Sequence, residues 1–101
     1  MTKYSVYQLQ GSENRDNRFE VTFGENPAST AKEAFANNAY TFVGEIQAND
    51  LNDCFQIGNI GPESAITRKR PMASLSSGDV IVDLKSGEMH LIANVGFTKL
   101  N

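Results

Sequence analysis

A chain of 101 residues is long enough for one domain with one hydrophobic core, and we expect residues 1–101 to form that single domain. Apolar residues make up 40% of the chain and charged residues 21%, a balance typical of globular proteins and not of disordered ones. The net charge of −3 argues against general coating of nucleic acid, although it leaves room for a local basic patch.

Nothing in the sequence predicts a membrane or secreted protein. No apolar run approaches the roughly 18 residues that a membrane span needs, and residues 1–5 lack the apolar stretch of a secretory signal. The single cysteine, Cys54, cannot form an internal disulfide, and its apolar surroundings predict a buried, unreactive thiol. We therefore expect a soluble, cytoplasmic protein with no membrane partner.

The N-terminal residues are predicted to form a β-hairpin. Residues 4–10 alternate large or β-branched side chains with polar ones, which places Tyr4 and Val6 on one face of a strand. Residues 11–18 are polar and rich in turn formers, so they predict a loop. Residues 19–23 return to a period of two and predict the second strand of the hairpin.

A helix and a third strand are predicted next. Thr30 and Glu33 have the spacing of a capping box, which favours a short helix over residues 30–38. Its apolar positions are mostly alanine, so the helix is expected to pack closely on a sheet. Residues 40–46 are rich in aromatic and β-branched side chains and predict a strand, in which Gly44 marks a bulge.

The middle of the chain predicts a second short helix and then a loop. Asn49 or Asp50 can cap the helix, because either side chain can accept hydrogen bonds from backbone amides of the first turn. Gly58 is a suitable stop, since glycine tolerates the left-handed conformation common at helix ends. Residues 61–71 begin and end near proline and predict an exposed loop.

The C-terminal part carries the clearest hairpin. Residues 76–79 have the composition of a turn, and residues 80–84 and 89–95 alternate as two strands around the turn at 85–88. Residues 96–100 can continue this strand or form a short final one. Together these elements predict an α+β domain, with a mainly antiparallel sheet of about five strands, flat or curled into a partial barrel, and two short helices on one face.

Five segments also occur in an order typical of one known family. The first two are an opening strand, Tyr4–Leu9, and a tyrosine-to-glycine strand, Tyr40–Ile46. An acidic and apolar helix, Asp50–Ile57, follows and precedes Asn59. The last two are a serine-rich turn that leads into a strand, Ser74–Ile81, and a closing glycine–phenylalanine pair, Gly96–Phe97. In this order they resemble the YodL-like family of small proteins from bacterial, plasmid and phage-type genomes. The resemblance implies a shared fold and a mobile-element setting, and it implies no catalytic residues.

The chemically versatile residues are each better explained by structure than by catalysis. His90 is the only histidine and has no partners at metal-ligand spacing. Ser76 and Ser77 have the character of turn formers, because no base or oxyanion hole accompanies them in the sequence. Asp50 and Asp53 lie where carboxylates stabilise the start of a helix. We expect no enzyme activity, metal or cofactor.

The three adjacent cations Arg68, Lys69 and Arg70 are the best candidate for a functional surface, since a loop carrying them attracts phosphate or an acidic protein surface. The leading hypothesis is a non-enzymatic protein of a phage or other mobile element that binds a host protein through this loop or a sheet edge. A nucleic-acid-binding module with a curled sheet is the second hypothesis, and an enzyme with an unrecognised site is the third.

Overall fold

The computed structural model describes all 101 residues and contains a six-stranded antiparallel sheet with helices on both faces. Its elements in chain order are β1 (Thr2–Leu9), α1 (Arg15–Phe23), α2 (Pro27–Ala36), β2 (Tyr40–Ala48), α3 (Leu51–Ile60), β3 (Ile66–Arg68), β4 (Val80–Asp83), β5 (Met89–Ile92) and β6 (Phe97–Lys99). The spatial order of the strands is β3-β2-β1-β4-β5-β6. The predicted α+β class and single domain are confirmed, and the sheet is open rather than closed into a barrel.

Both faces of the sheet are apolar, which corrects the prediction that helices cover only one of them. The central strand β1 alternates Val6 toward α3 with Leu9 toward α1 and α2, and β4 does the same with Ile81 and Val80. A sheet that is apolar on both faces must be covered on both. The predicted helix α3 covers one face, and the other is covered by α2 together with α1, the helix that the sequence prediction lacked.

The core on the α3 side joins that helix to the middle of the sheet. Cys54 and Ile57 of α3 are buried against Val6 and its neighbours on β1 and β2. Gly58 is buried beside Leu75, and a Cβ at this glycine would lie 2.5 Å from Leu75 Cδ1 and Cγ. Glycine at this position therefore lets α3 approach the segment that precedes β4.

The core on the opposite side joins α1 and α2 to the sheet. Val21 of α1 and the small residues Ala31 and Ala34 of α2 are buried against Leu9 and Val80. The expectation that a helix rich in alanine packs closely on a sheet is confirmed. The two helices follow one another through a short connection, so they cover this face as a pair.

Residues 19–23 are helical, so the prediction of a strand there was wrong. Apolar residues at every second position can also satisfy a helix, and here only Val21 of the segment is buried. The buried Asn14 donates to the carbonyl oxygens of Gln10 (2.7 Å) and Ala39 (3.3 Å), which fixes the chain just before the helix starts. This tertiary anchor is not visible as a local pattern.

Helix α2 begins earlier than its predicted range of residues 30–38. Its first residue is Pro27, whose fixed φ suits the first helical position, and Asn26 precedes it without a side-chain cap. Thr30 donates its amide to the Asn26 carbonyl and therefore already lies inside the helix. The capping box predicted for Thr30 and Glu33 was wrong.

Helix α3 has the predicted cap but not the predicted end. Asp50 Oδ1 accepts a hydrogen bond of 2.8 Å from the Asp53 amide, which confirms Asp50 as the N-cap. The helix continues past Gly58 to Ile60, and the left-handed glycine that follows it is Gly61, with φ of 97°. Gly58 has a packing role instead of a stop role.

The predicted bulge in β2 is confirmed. Val6 pairs with Gly44 and Tyr7 with Phe42, so Val43 is an extra residue opposite β1.

The C-terminal hairpin is also confirmed as β4 and β5, and β6 is a separate short strand. None of the three helices has the length and apolarity that crossing a membrane requires.

Candidate functional site

The basic segment Arg68, Lys69 and Arg70 leaves the sheet at the end of the edge strand β3. The Arg68 guanidinium pairs with both carboxylate oxygens of Glu63, and this pairing holds the pKa of Glu63 below its usual range. Arg70 Nη1 donates to the Phe42 carbonyl oxygen at 2.9 Å. Two of the three cations are therefore engaged within the chain, and the Lys69 ammonium is the one without an intramolecular partner.

The other polar candidates from the sequence make local contacts. Asp53 Oδ2 accepts from the Asn49 amide at 2.9 Å, so Asp53 and the Asp50 cap close the first turn of α3 from both sides. Ser77 Oγ donates to the Ala93 carbonyl oxygen at 3.2 Å. The His90 ring, on β5, lies 3.4 Å from a carboxylate oxygen of Glu88. Asp50 and Asp53 lie together only as the cap of α3, and neither Ser77 nor His90 joins them.

The serine-rich turn before β4 is organised around a buried carboxylate. Asp79 Oδ2 accepts from Gln8 Nε2 (3.1 Å) and from the Ser76 amide (3.0 Å). Burial raises the pKa of Asp79 to about 6, and these two hydrogen bonds offset part of that effect. Tyr40 donates its hydroxyl to the Gly78 carbonyl oxygen at 2.6 Å. The turn is thus tied to both β1 and β2.

A cleft of about 470 Å³ separates this turn from α1. Arg18, Thr22 and Phe23 line it from the helix, and Ser76 and Asp79 line it from the turn. The volume lies in the range of small-ligand sites, but the opposite charges of arginine and aspartate give the cleft no net charge that would select an ionic ligand. Phe23 forms part of its rim.

Two aromatic side chains stand out from the outer face of α1. Phe19 is 59% exposed and Phe23 is 69% exposed, and their ring centroids lie 5.5 Å apart. They are four residues apart, so the two rings lie next to each other along one side of the helix while Val21 is buried in the core. We call Phe19 and Phe23 the aromatic ridge. It is the largest concentration of exposed aromatic surface in the chain.

The sequence prediction missed the aromatic ridge because it assigned both phenylalanines to a strand. In a strand with a period of two, Phe19 and Phe23 would share a face with Val21 and all three would enter the core. In the helix they lie away from Val21. The signal that could have revealed the ridge is the i, i+4 spacing of two phenylalanines within a segment that is otherwise polar.

Comparison with known proteins adds no relative to these observations. No family model, curated protein or solved structure matches the chain. The resemblance to the YodL-like family therefore stays a prediction, and the function has to be inferred from the surfaces described above.

Proposed function

We propose that this chain is a non-enzymatic protein-binding module of YodL-like, mobile-element type that acts on a host protein in the cytoplasm. The observation that carries the proposal is the aromatic ridge, Phe19 and Phe23. Exposed aromatic pairs of this kind are costly to hydrate and are enriched at the centres of protein interfaces. The single, buried thiol of Cys54 suits a reducing compartment.

A partner that covers the aromatic ridge would gain binding free energy from burying its two rings. Fully burying one phenylalanine side chain is worth about 1.5–3 kcal/mol, and more than half of each ring is still exposed here. Neither ring is needed to fill the core, since the buried cluster beneath α1 contains Val21 and no residue of the ridge. The ridge is therefore free to contribute to binding at little cost to folding.

The basic segment at residues 68–70 remains the alternative contact surface. With Arg68 paired to Glu63 and Arg70 bonded to the Phe42 carbonyl oxygen, phosphate or an acidic protein would have to displace existing contacts. The same consideration weakens the nucleic-acid hypothesis, which depends on these three cations. We accordingly favour a protein partner that binds at α1.

The test is affinity capture from a bacterial lysate with three forms of the protein: wild type, Phe19→Ala/Phe23→Ala, and a triple alanine variant at residues 68–70. Circular dichroism first verifies that all three fold. We expect the ridge variant to lose the captured protein by at least about tenfold, since two hot-spot aromatics are removed, and the triple variant to retain it. Loss in the triple variant alone would assign binding to the basic segment, and equal capture by all three would refute both surfaces.

A further inference from the structure

The aromatic ridge borders a second groove at the C-terminal end of α1. This groove has a volume of about 510 Å³ and runs along the connection between α1 and α2. Its lining includes the rings of Phe19 and Phe23 and the carboxylates of Glu20 and Glu25, and Asn26 and Thr30 supply neutral polar groups. No lysine or arginine lines the groove. Aromatic faces beside carboxylates are the combination that recognises organic cations.

Both carboxylates are available to a ligand. Glu20 and Glu25 are exposed and take part in none of the four ion pairs within the chain. Of the two arginines of α1, Arg18 donates to the carbonyl oxygens of Leu9 and Gly11, and Arg15 lies at the opposite end of the helix from Glu25. The groove therefore carries an uncompensated charge of two carboxylates beside the ridge.

The polarity of α1 adds to this negative potential. The C-terminal end of a helix carries a partial negative charge from its unpaired carbonyl groups, and basic side chains commonly offset it. The last turn of α1 contains no basic residue and instead contains Glu20. An acidic side chain at this end is unfavourable in the free protein, and a cation supplied from outside would relieve that repulsion.

We propose that the partner segment that docks on the aromatic ridge is basic, with a lysine or arginine side chain seated in the groove between Glu20 and Glu25. This inference rests on the proposed function and specifies the chemistry of the partner. The aliphatic stem of the basic residue lies along the rings of Phe19 and Phe23. Its charged end is held by the two carboxylates, so apolar and ionic contacts come from the same side chain.

The direct test uses three fluorescent peptides of equal length, in which leucine alternates with lysine, glutamine or glutamate. Fluorescence anisotropy measures their binding to wild type and to Glu20→Gln/Glu25→Gln. We expect the lysine peptide to bind wild type and to bind the variant about five- to tenfold more weakly, with the difference disappearing at high salt. The variant Glu13→Gln/Glu33→Gln is the matched control, because it removes the same charge from exposed positions elsewhere and should bind as wild type does.

Three results would overturn the proposal. They are equal affinity for the lysine and glutamine peptides, no binding of the lysine peptide up to about 1 mM, and equal weakening by the matched control. Sedimentation velocity tests whether a second copy of the chain occupies the ridge instead. If wild type is a dimer and Phe19→Ala/Phe23→Ala is a monomer, a second copy covers the ridge and the proposal is wrong.

The lysate experiment separates failure of this inference from failure of the proposed function. If Phe19→Ala/Phe23→Ala loses the captured protein while Glu20→Gln/Glu25→Gln retains it fully, the ridge is an interface but its partner is not held by charge. If neither of these variants nor the triple alanine variant at residues 68–70 loses the captured protein, the proposed function itself fails. Loss in both variants, with retention by the matched control, supports both.

Discussion

Replacing Asp79 with asparagine should change how the stability of the protein depends on pH. The wild-type carboxylate is buried beneath the serine-rich turn, where Oδ2 accepts from Gln8 Nε2 and from the Ser76 amide. An asparagine amide oxygen can accept the same two hydrogen bonds without carrying a charge. The substitution therefore removes a desolvated ionisable group and leaves its contacts in place.

The size and sign of the effect follow from the pKa of Asp79, which burial raises from 3.8 to about 6. Because the folded state holds the proton more tightly than the unfolded state, folding stability falls as pH rises between about 4 and 6. At about 1.4 kcal/mol for each pH unit, the total loss is about 3 kcal/mol. Asp79→Asn escapes this loss, so the variant gains about 3 kcal/mol relative to wild type between pH 4 and pH 7.

Urea denaturation of wild type and Asp79→Asn at several pH values in this window measures the difference. The titration of all other groups is common to the two proteins and cancels in the comparison. Asp16→Asn removes the same charge from an exposed position on α1 and separates burial from net charge. If the difference between Asp79→Asn and wild type changes by less than about 0.5 kcal/mol across the window, within the usual error of such comparisons, the carboxylate is not desolvated as described.

Three further predictions concern packing, capping and thiol reactivity. Gly58→Ala should lower the free energy of unfolding by about 1–3 kcal/mol, because the new Cβ would lie 2.5 Å from Leu75. Urea denaturation measures this, and a variant with the same midpoint as wild type would contradict it. Asp50→Ala should lower the free energy of unfolding by about 1 kcal/mol, because the hydrogen bond from the Asp53 amide is lost. Thermal denaturation measures this, and an unchanged midpoint would mean that the cap contributes nothing to stability. Burial raises the pKa of Cys54 to about 12, so a thiol reagent should react with it only as the protein unfolds, and rapid labelling in native buffer would refute its burial.

The sequence predicted elements best where local chemistry and tertiary structure favour the same conformation. The cap at Asp50, the bulge beside Gly44 and the β4–β5 hairpin are of this kind, because short-range hydrogen bonding or side-chain alternation specifies each of them. The predicted α+β class followed from these elements. The unrecognised edge strand β3 is only three residues long and is stabilised by pairing with β2, which its own residues do not reveal.

The candidate site was harder to predict, for a physical reason. Residues 19–23 satisfy both a period of two and a helix with one buried residue, and long-range anchoring through Asn14 decides between these. The basic segment was visible in the sequence, but its ion pair with Glu63 was not, because it depends on how β3 follows α3. Charge runs reveal which side chains are present and leave open whether they are already engaged.

The position of β1 in the sheet has a consequence for how the chain folds. Although β1 is the first strand in the chain, it lies in the middle of the sheet, between β2 and β4. β4 begins more than seventy residues after β1 begins. During synthesis β1 can pair with β2 and receive α3, while its second edge stays open until residues 80–83 leave the ribosome. The slowest step of folding is therefore expected to be the closing of β4 onto β1, completed when the Gln8 side chain bonds both Ala73 and Asp79.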